Sequence, residues 1–187
     1  MKTVKTKATP IPNLPTNPFA FEVLDAASKQ RSKAKKVEVL QRYKHPSLVT
    51  IFVWNFDDTI VTALPPGDVP YGNTGEDQQT TGTLSSKIND AVSKMEEIGS
   101  RSLGSQDQGK ASIRKEYTKF YNFCVGGNNG LSNLRRETMF INILQGLHPL
   151  EAEILCLVKD KKLSTKYKVT KEIVSLAYPE IVWGGRS

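Results

Sequence analysis

Apolar residues recur along this chain at helical spacing, in blocks separated by turn residues. Phe21, Leu24 and Ala27 lie three apart, and Pro18 suits the first turn of a helix starting at Asn17. Ser32 is placed to cap a second helix carrying Val37, Leu40 and Tyr43 on one face. After His45-Pro46, the run LVTIFVWNF fits a buried strand by its β-branched content. The stripe Leu48, Ile51, Phe52 and Asn55 favours a helix started by Pro46. Ile88, Val92, Met95 and Ile98 make a further stripe, with Ser85 or Ser86 as its cap.

The second half is denser in such blocks. Ile113, Tyr117, Phe120 and Cys124 are spaced four, three and four apart, which predicts a helix from about Lys110. Gly126-Gly127-Asn128-Asn129-Gly130 ends it with residues that tolerate positive φ. Ser132 is the next cap, with Leu134, Met139 or Phe140, Ile143 and Leu144 on the buried side. Gly146 stops that helix and His148-Pro149 begins another, with Leu150, Ile154, Leu157 and Val158 turned inward. Glu151 and Glu153 fall in its first turn, where they favour the positive end of the helix dipole. Thr170 caps a last short helix that Pro179 stops, and Ile181, Val182 and Trp183 form an apolar tail that can dock on the core.

Between the blocks lie other textures. Residues 1–16 are polar, basic and proline-rich, and are expected to form a flexible arm. Residues 64–71, LPPGDVPY, must run extended, because each proline pushes its predecessor out of the α region. Residues 72–86 hold a polar tract read as an exposed loop or insertion, and residues 103–108 are a Gly/Ser-rich break. The expected fold is mainly α: a compact multi-helix domain over residues 17–183, with a proline-rich extended segment and a flexible N-terminal arm.

Composition sharpens this. Hydrophobic residues make up 38% of the 187, below the usual ~45–50%, which allows a modest core. The longest apolar run, residues 48–54, is far shorter than the ~20 residues of a membrane span, so no membrane partner is expected. The net charge of +7 favours nucleic acid or an acidic partner. Cys124 and Cys156 sit in apolar helical context and are read as buried free thiols.

The candidate chemistry is sparse. GGNNG lacks the preceding strand and following Lys-Ser/Thr of a phosphate loop, so it reads as a helix–helix connector. Asp57-Asp58 and Glu96-Glu97 are adjacent pairs that diverge in a regular element. His45 and His148 both precede proline and share the look of helix-start residues. No metal set, cofactor loop or catalytic residue is assigned, and the chain is expected not to be an enzyme. Basic stretches remain at residues 29–44 and 159–171, with Tyr43 and Tyr167 nearby as candidate stacking residues. Lys33, Lys35, Lys36, Lys161, Lys162, Lys166 and Lys168 are the candidate phosphate contacts.

Three blocks carry a resemblance: FEVLDAASKQRSKAKKVEVLQRY with the later LPPGDVPY, FYNFCVGGNNGLSNLRRETMFINILQGLHPLEAEIL, and VKDKKLSTKYKVTKEIVSLAYPEI. The chain resembles an uncharacterised protein family of T4-like tailed phages that infect marine bacteria, especially cyanobacteria. It departs from that pattern over residues 72–108, which look expanded. The resemblance implies a phage-encoded protein acting in the host cytoplasm or in the virion, and it brings no activity or site residue.

The function expected from the sequence is a non-enzymatic accessory protein. It contacts DNA, RNA or a nucleoprotein complex through lysine-rich surfaces. The alternative is a minor virion component or a binder of a host protein. Oligomeric state is not legible in the chain.

Overall fold

The structure, a computed structural model, describes residues 11–70, 82–98 and 111–186. Eight α-helices are present among them: α1 Ala20–Lys29, α2 Lys33–Arg42, α3 Pro46–Phe56, α4 Leu84–Ile98, α5 Ile113–Glu116, α6 Asn133–Gly146, α7 Pro149–Lys159 and α8 Lys171–Ala177. Two 3-10 turns, Tyr117–Phe123 and Leu163–Thr165, complete the set. The fold is mainly α, as the periodicity predicts. The ambiguous run at residues 48–56 is helical, entered through Pro46.

Helix α7 is the axis of the core. It packs against α1, α3, α4 and α6, and Leu150, Ala152, Ile154, Leu155 and Val158 are all buried. Such all-round burial is expected of a helix surrounded by others. Trp54 of α3 is buried against Phe120 and Phe123, and Phe123 meets Phe140 edge-on at 5.1 Å. The Trp54 indole N–H donates to Thr62 Oγ1 at 2.9 Å, and that hydroxyl donates to the Lys159 carbonyl at 2.8 Å. A large apolar ring is thus buried with its polar atom satisfied.

Helix starts follow local chemistry. Ser32, Ser132 and Thr170 each accept a backbone N–H three residues on. His45 and His148 do the same work with Nδ1, accepting from Ser47 N and Leu150 N, both at 3.1 Å. Their expected shared role as half-in residues before a proline is what the structure contains.

Several expectations shift. Helix α1 begins at Ala20 rather than Asn17, because the Glu22 carboxylate accepts the Phe19 N–H at 3.1 Å and holds Phe19 extended. Pro18 therefore lies outside the helix. Helix α2 buries Val39, Leu40 and Lys36, with Val37 only half-buried, because it is wedged between α1 and α8. Helix α4 starts at Leu84 and is capped by Thr83, whose Oγ1 accepts from Ser86 N. Residues 84–86 are thus helix rather than loop, and Ser85 Oγ instead accepts the Val69 N–H at 2.7 Å. Residues 71–81 and 99–110, where the remaining loop and the break were expected, lie outside the described residues.

The block after Ser112 is the largest change. It forms one α-turn and then the 3-10 stretch Tyr117–Phe123, and Cys124 is extended. Phe120 and Phe123 are both buried, and a three-residue repeat brings them to one side. Cys124 pairs with Thr62 in an isolated antiparallel bridge, with Val125 N donating to Val61 O at 2.8 Å. Leu134, expected inside, is 66% exposed. The arm also behaves differently near its end: Ile11 and Leu14 pack against the core, and Tyr43 Oη accepts the Leu14 N–H at 2.9 Å. Residues 1–10, the rest of that arm, are outside the described residues.

Candidate nucleic-acid interface

The two basic stretches meet. The first is built by the turn between α1 and the start of α2, and the second by the loop entering α8. The Lys36 ammonium donates to Ser28 O at 3.2 Å and to Lys168 O at 2.9 Å. Ser28 Oγ accepts the Lys168 N–H at 2.9 Å. Lys33 extends to Glu172 on α8, at 2.9 Å. Arg31, Lys33 and Lys168 are exposed at this seam.

The candidate lysines divide. Lys36 is buried, and its ammonium is held on carbonyls, one of them in the last turn of α1. Burial lowers its pKa, and the neighbouring Lys168 charge lowers it further. This is a helix-end contact, so Lys36 positions the ridge rather than facing a ligand. Lys161 is turned inward too. Its ammonium donates to Trp54 O at 2.8 Å and Asp57 O at 2.9 Å, closing the end of α3. Burial lowers the Lys161 pKa, against the raising influence of Asp58 and Asp57. Lys161 also takes φ 58°, which lets the chain turn out of α7.

Lys166 is shared between Glu153 of α7 and Glu96 of α4. Lys162 is exposed in the turn after α7. Among the candidates, then, Lys33 and Lys168 flank the seam, with Arg31 in the turn before α2, while Lys35, two positions on from Lys33 and so on another side of α2, pairs with Glu38, and Lys161, Lys162 and Lys166 belong to other neighbourhoods. Acids temper the charge here: Lys29 pairs with the partly buried Asp25 at 2.9 Å and Lys35 with the exposed Glu38 at 3.3 Å.

The glycine turn is a packed connector. Arg136 is buried and fans its guanidinium across it: Nε to Asn122 O at 2.8 Å, Nη1 to Asn133 Oδ1 at 2.7 Å, Nη2 to Leu131 O at 3.1 Å and Asn128 O at 3.2 Å. The turn thus offers carbonyls inward to a cation, the reverse of an anion cradle. Gly127 is required by close approach: a Cβ there would sit 1.8 Å from Tyr121 O. Sequence reading missed Arg136, since a buried arginine and a surface arginine look alike in a chain.

Two carboxylates are also internal. Asp57 is 1% exposed and accepts Thr59 N–H and Oγ–H, Gly184 N–H and Arg186 Nη1. Burial would raise its pKa, but the bonds from Thr59, Gly184 and Arg186 prevail and hold it far below the usual carboxylate range. Asp57 thereby clamps the C-terminal tail. Glu151, expected merely to favour a helix dipole, is fully buried and accepts Ala20 N–H at 3.0 Å and Ile113 N–H at 3.1 Å. It joins the starts of α1, α5 and α7. Burial pushes its carboxyl up to about 7, partly offset by the Ile113 and Ala20 N–H groups.

Cys124 and Cys156 are free and half-buried, with burial raising each thiol to about 11. That disfavours the thiolate a nucleophile needs. Among the described residues, no group of three or more His, Cys, Asp or Glu side chains could hold a metal ion, and no helix is long and apolar enough to cross a membrane.

A groove of about 580 Å³ lies between α3 and the Tyr117–Phe123 turn, lined in part by Val49, Val53, Tyr121 and Val125, with Arg186 at its edge. Tyr121, Val125 and the neighbouring Val61 are more than half exposed.

No curated protein and no solved structure matches the chain. The sequence model of a family of unknown function, DUF6433, matches residues 23–98 and 100–165. The chain therefore belongs to the DUF6433 family of unknown function.

Proposed function

We propose that this protein is a non-enzymatic phage accessory protein that contacts nucleic acid, or a nucleoprotein complex, through the ridge formed by the α1–α2 turn and the loop entering α8. The observation that carries the reading is the Lys36 bond to Lys168 O, which joins two basic stretches far apart in sequence. Separate basic segments on one surface give the local potential that phosphates seek. The ion pairs of Lys33 and Lys35 are solvent-exposed, and such pairs are weak enough to exchange partners. The phage setting rests on the sequence resemblance.

The test is fluorescence anisotropy with labelled nucleic acid at low salt. Binding that weakens steeply with added salt is expected. Absence of binding at low salt, or affinity indifferent to salt, removes the reading.

A second reading has its own observation. Val61, Tyr121 and Val125 present an apolar face beside the α3 groove, which suits a protein partner in the virion or the host. Mass spectrometry of purified particles tests the virion form: absence of the protein from particles removes it.

A further inference from the structure

We propose that the ridge takes the sugar-phosphate backbone of a nucleic-acid duplex, without regard to base sequence, in preference to unpaired strands. This rests on the reading of the ridge as a nucleic-acid surface. Sites for single strands combine cations with aromatic platforms on which bases stack. Among the described residues, the aromatic side chains at the end of α2 and around α8 are engaged within the fold. Tyr167 is 4% exposed. Tyr43 is half-buried, and its hydroxyl donates to Pro12 O while accepting from Leu14 N, both at 2.9 Å. Trp183 has the Lys171 ammonium over its ring at 5.1 Å and donates its indole N–H to Ser175 Oγ. The exposed Tyr121 belongs to the α3 groove.

The cations fit a duplex backbone better. Lysine outnumbers arginine at the seam, where Arg31 is exposed, so the two-pronged contacts that read guanine edges are scarce. Ser32 caps α2, and Lys36 and Ser28 fasten the Lys168 loop to it. The ridge is thus fixed from below before any ligand arrives. A backbone already held in place keeps these charges near one another for the regular phosphates of a duplex, whereas a flexible strand must lose conformational freedom to meet them.

The experiment is fluorescence anisotropy of the full chain with two duplexes of unrelated sequence and a single strand of matched length, from about 50 to 200 mM salt. Both duplexes should bind equally, about tenfold or more tighter than the strand. Some three contacts give a log–log salt slope of about −3. Arg31→Ala with Lys168→Ala should reduce that slope by about two, with the helical signal and thermal midpoint unchanged. A strand that binds as tightly as the duplexes, or a strong preference between them, overturns the inference and leaves nucleic-acid binding standing. Binding to neither overturns both.

Discussion

The Lys36 ammonium lies 2.9 Å from the carbonyl oxygen of Lys168. A lysine that looks like surface charge is therefore an internal tie, which with Ser28 Oγ holds Lys168 beside the start of α2. Lys36→Met keeps the apolar stem and removes the bonds to Ser28 O and Lys168 O. It should destabilise the fold by about 1–3 kcal/mol, read by urea unfolding. Lys33→Met and Lys168→Met, at exposed positions, should stay within about 0.5 kcal/mol of the parent. Equal costs at all three would refute the tie.

Arg136 supports the glycine turn through four acceptors reached by its three guanidinium nitrogens. Arg136→Lys retains charge but cannot reproduce a planar fork. It should cost about 2–4 kcal/mol by leaving the buried Asn122 carbonyl and the partly buried acceptors of the turn unpaired. A variant as stable as the parent would show that the turn holds itself.

Glu151 gives a pH signature. Its folded pKa of about 7 lies above the ~4.3 of an unfolded glutamate. The folded state then holds the proton more firmly, so stability from this group is full below about 4.3 and is lost as pH rises toward 7. Glu151→Gln should flatten the fall in unfolding free energy across that window, measured by denaturant titration at several pH values. An unchanged slope in the variant would assign the dependence elsewhere.

Asp57 works in the opposite sense. Its folded pKa is depressed, so its contribution is present above the unfolded value near 3.9 and is lost as pH falls below it. Asp57→Asn should lose the Arg186 pair and loosen the Gly184 contact, with faster proteolysis after Trp183 and a weaker acid transition. Proteolysis at the parent rate would argue that the tail is held by its other contacts, among them Trp183 on Ser175 and the Arg186 N–H on Thr59 Oγ1.

What could be read in the chain was local. Ser32, Ser132, Thr170 and the two His-Pro pairs act on N–H groups two or three residues away, so their roles are written in adjacent positions. Gly126, at φ 82°, was likewise visible as a turn residue. The 3-10 stretch was not, because the four, three, four spacing of Ile113, Tyr117, Phe120 and Cys124 suits an α-helix as well. Glu151 meets Ala20 across 131 positions and Lys36 meets Lys168 across 132. Contacts of that range leave no periodicity. For the same reason Lys36 and Lys161 looked like candidate phosphate contacts when each is bonded to backbone carbonyls.

The most direct test of the ridge compares two charge reversals under one binding assay. Arg31→Glu with Lys168→Glu alters the ridge, while Lys162→Glu alters an exposed lysine in the separate turn after α7. Anisotropy with labelled duplex at about 50 mM salt should show at least a tenfold loss for the ridge variant and little change for Lys162→Glu. Equal losses, or a loss confined to Lys162→Glu, would contradict the account.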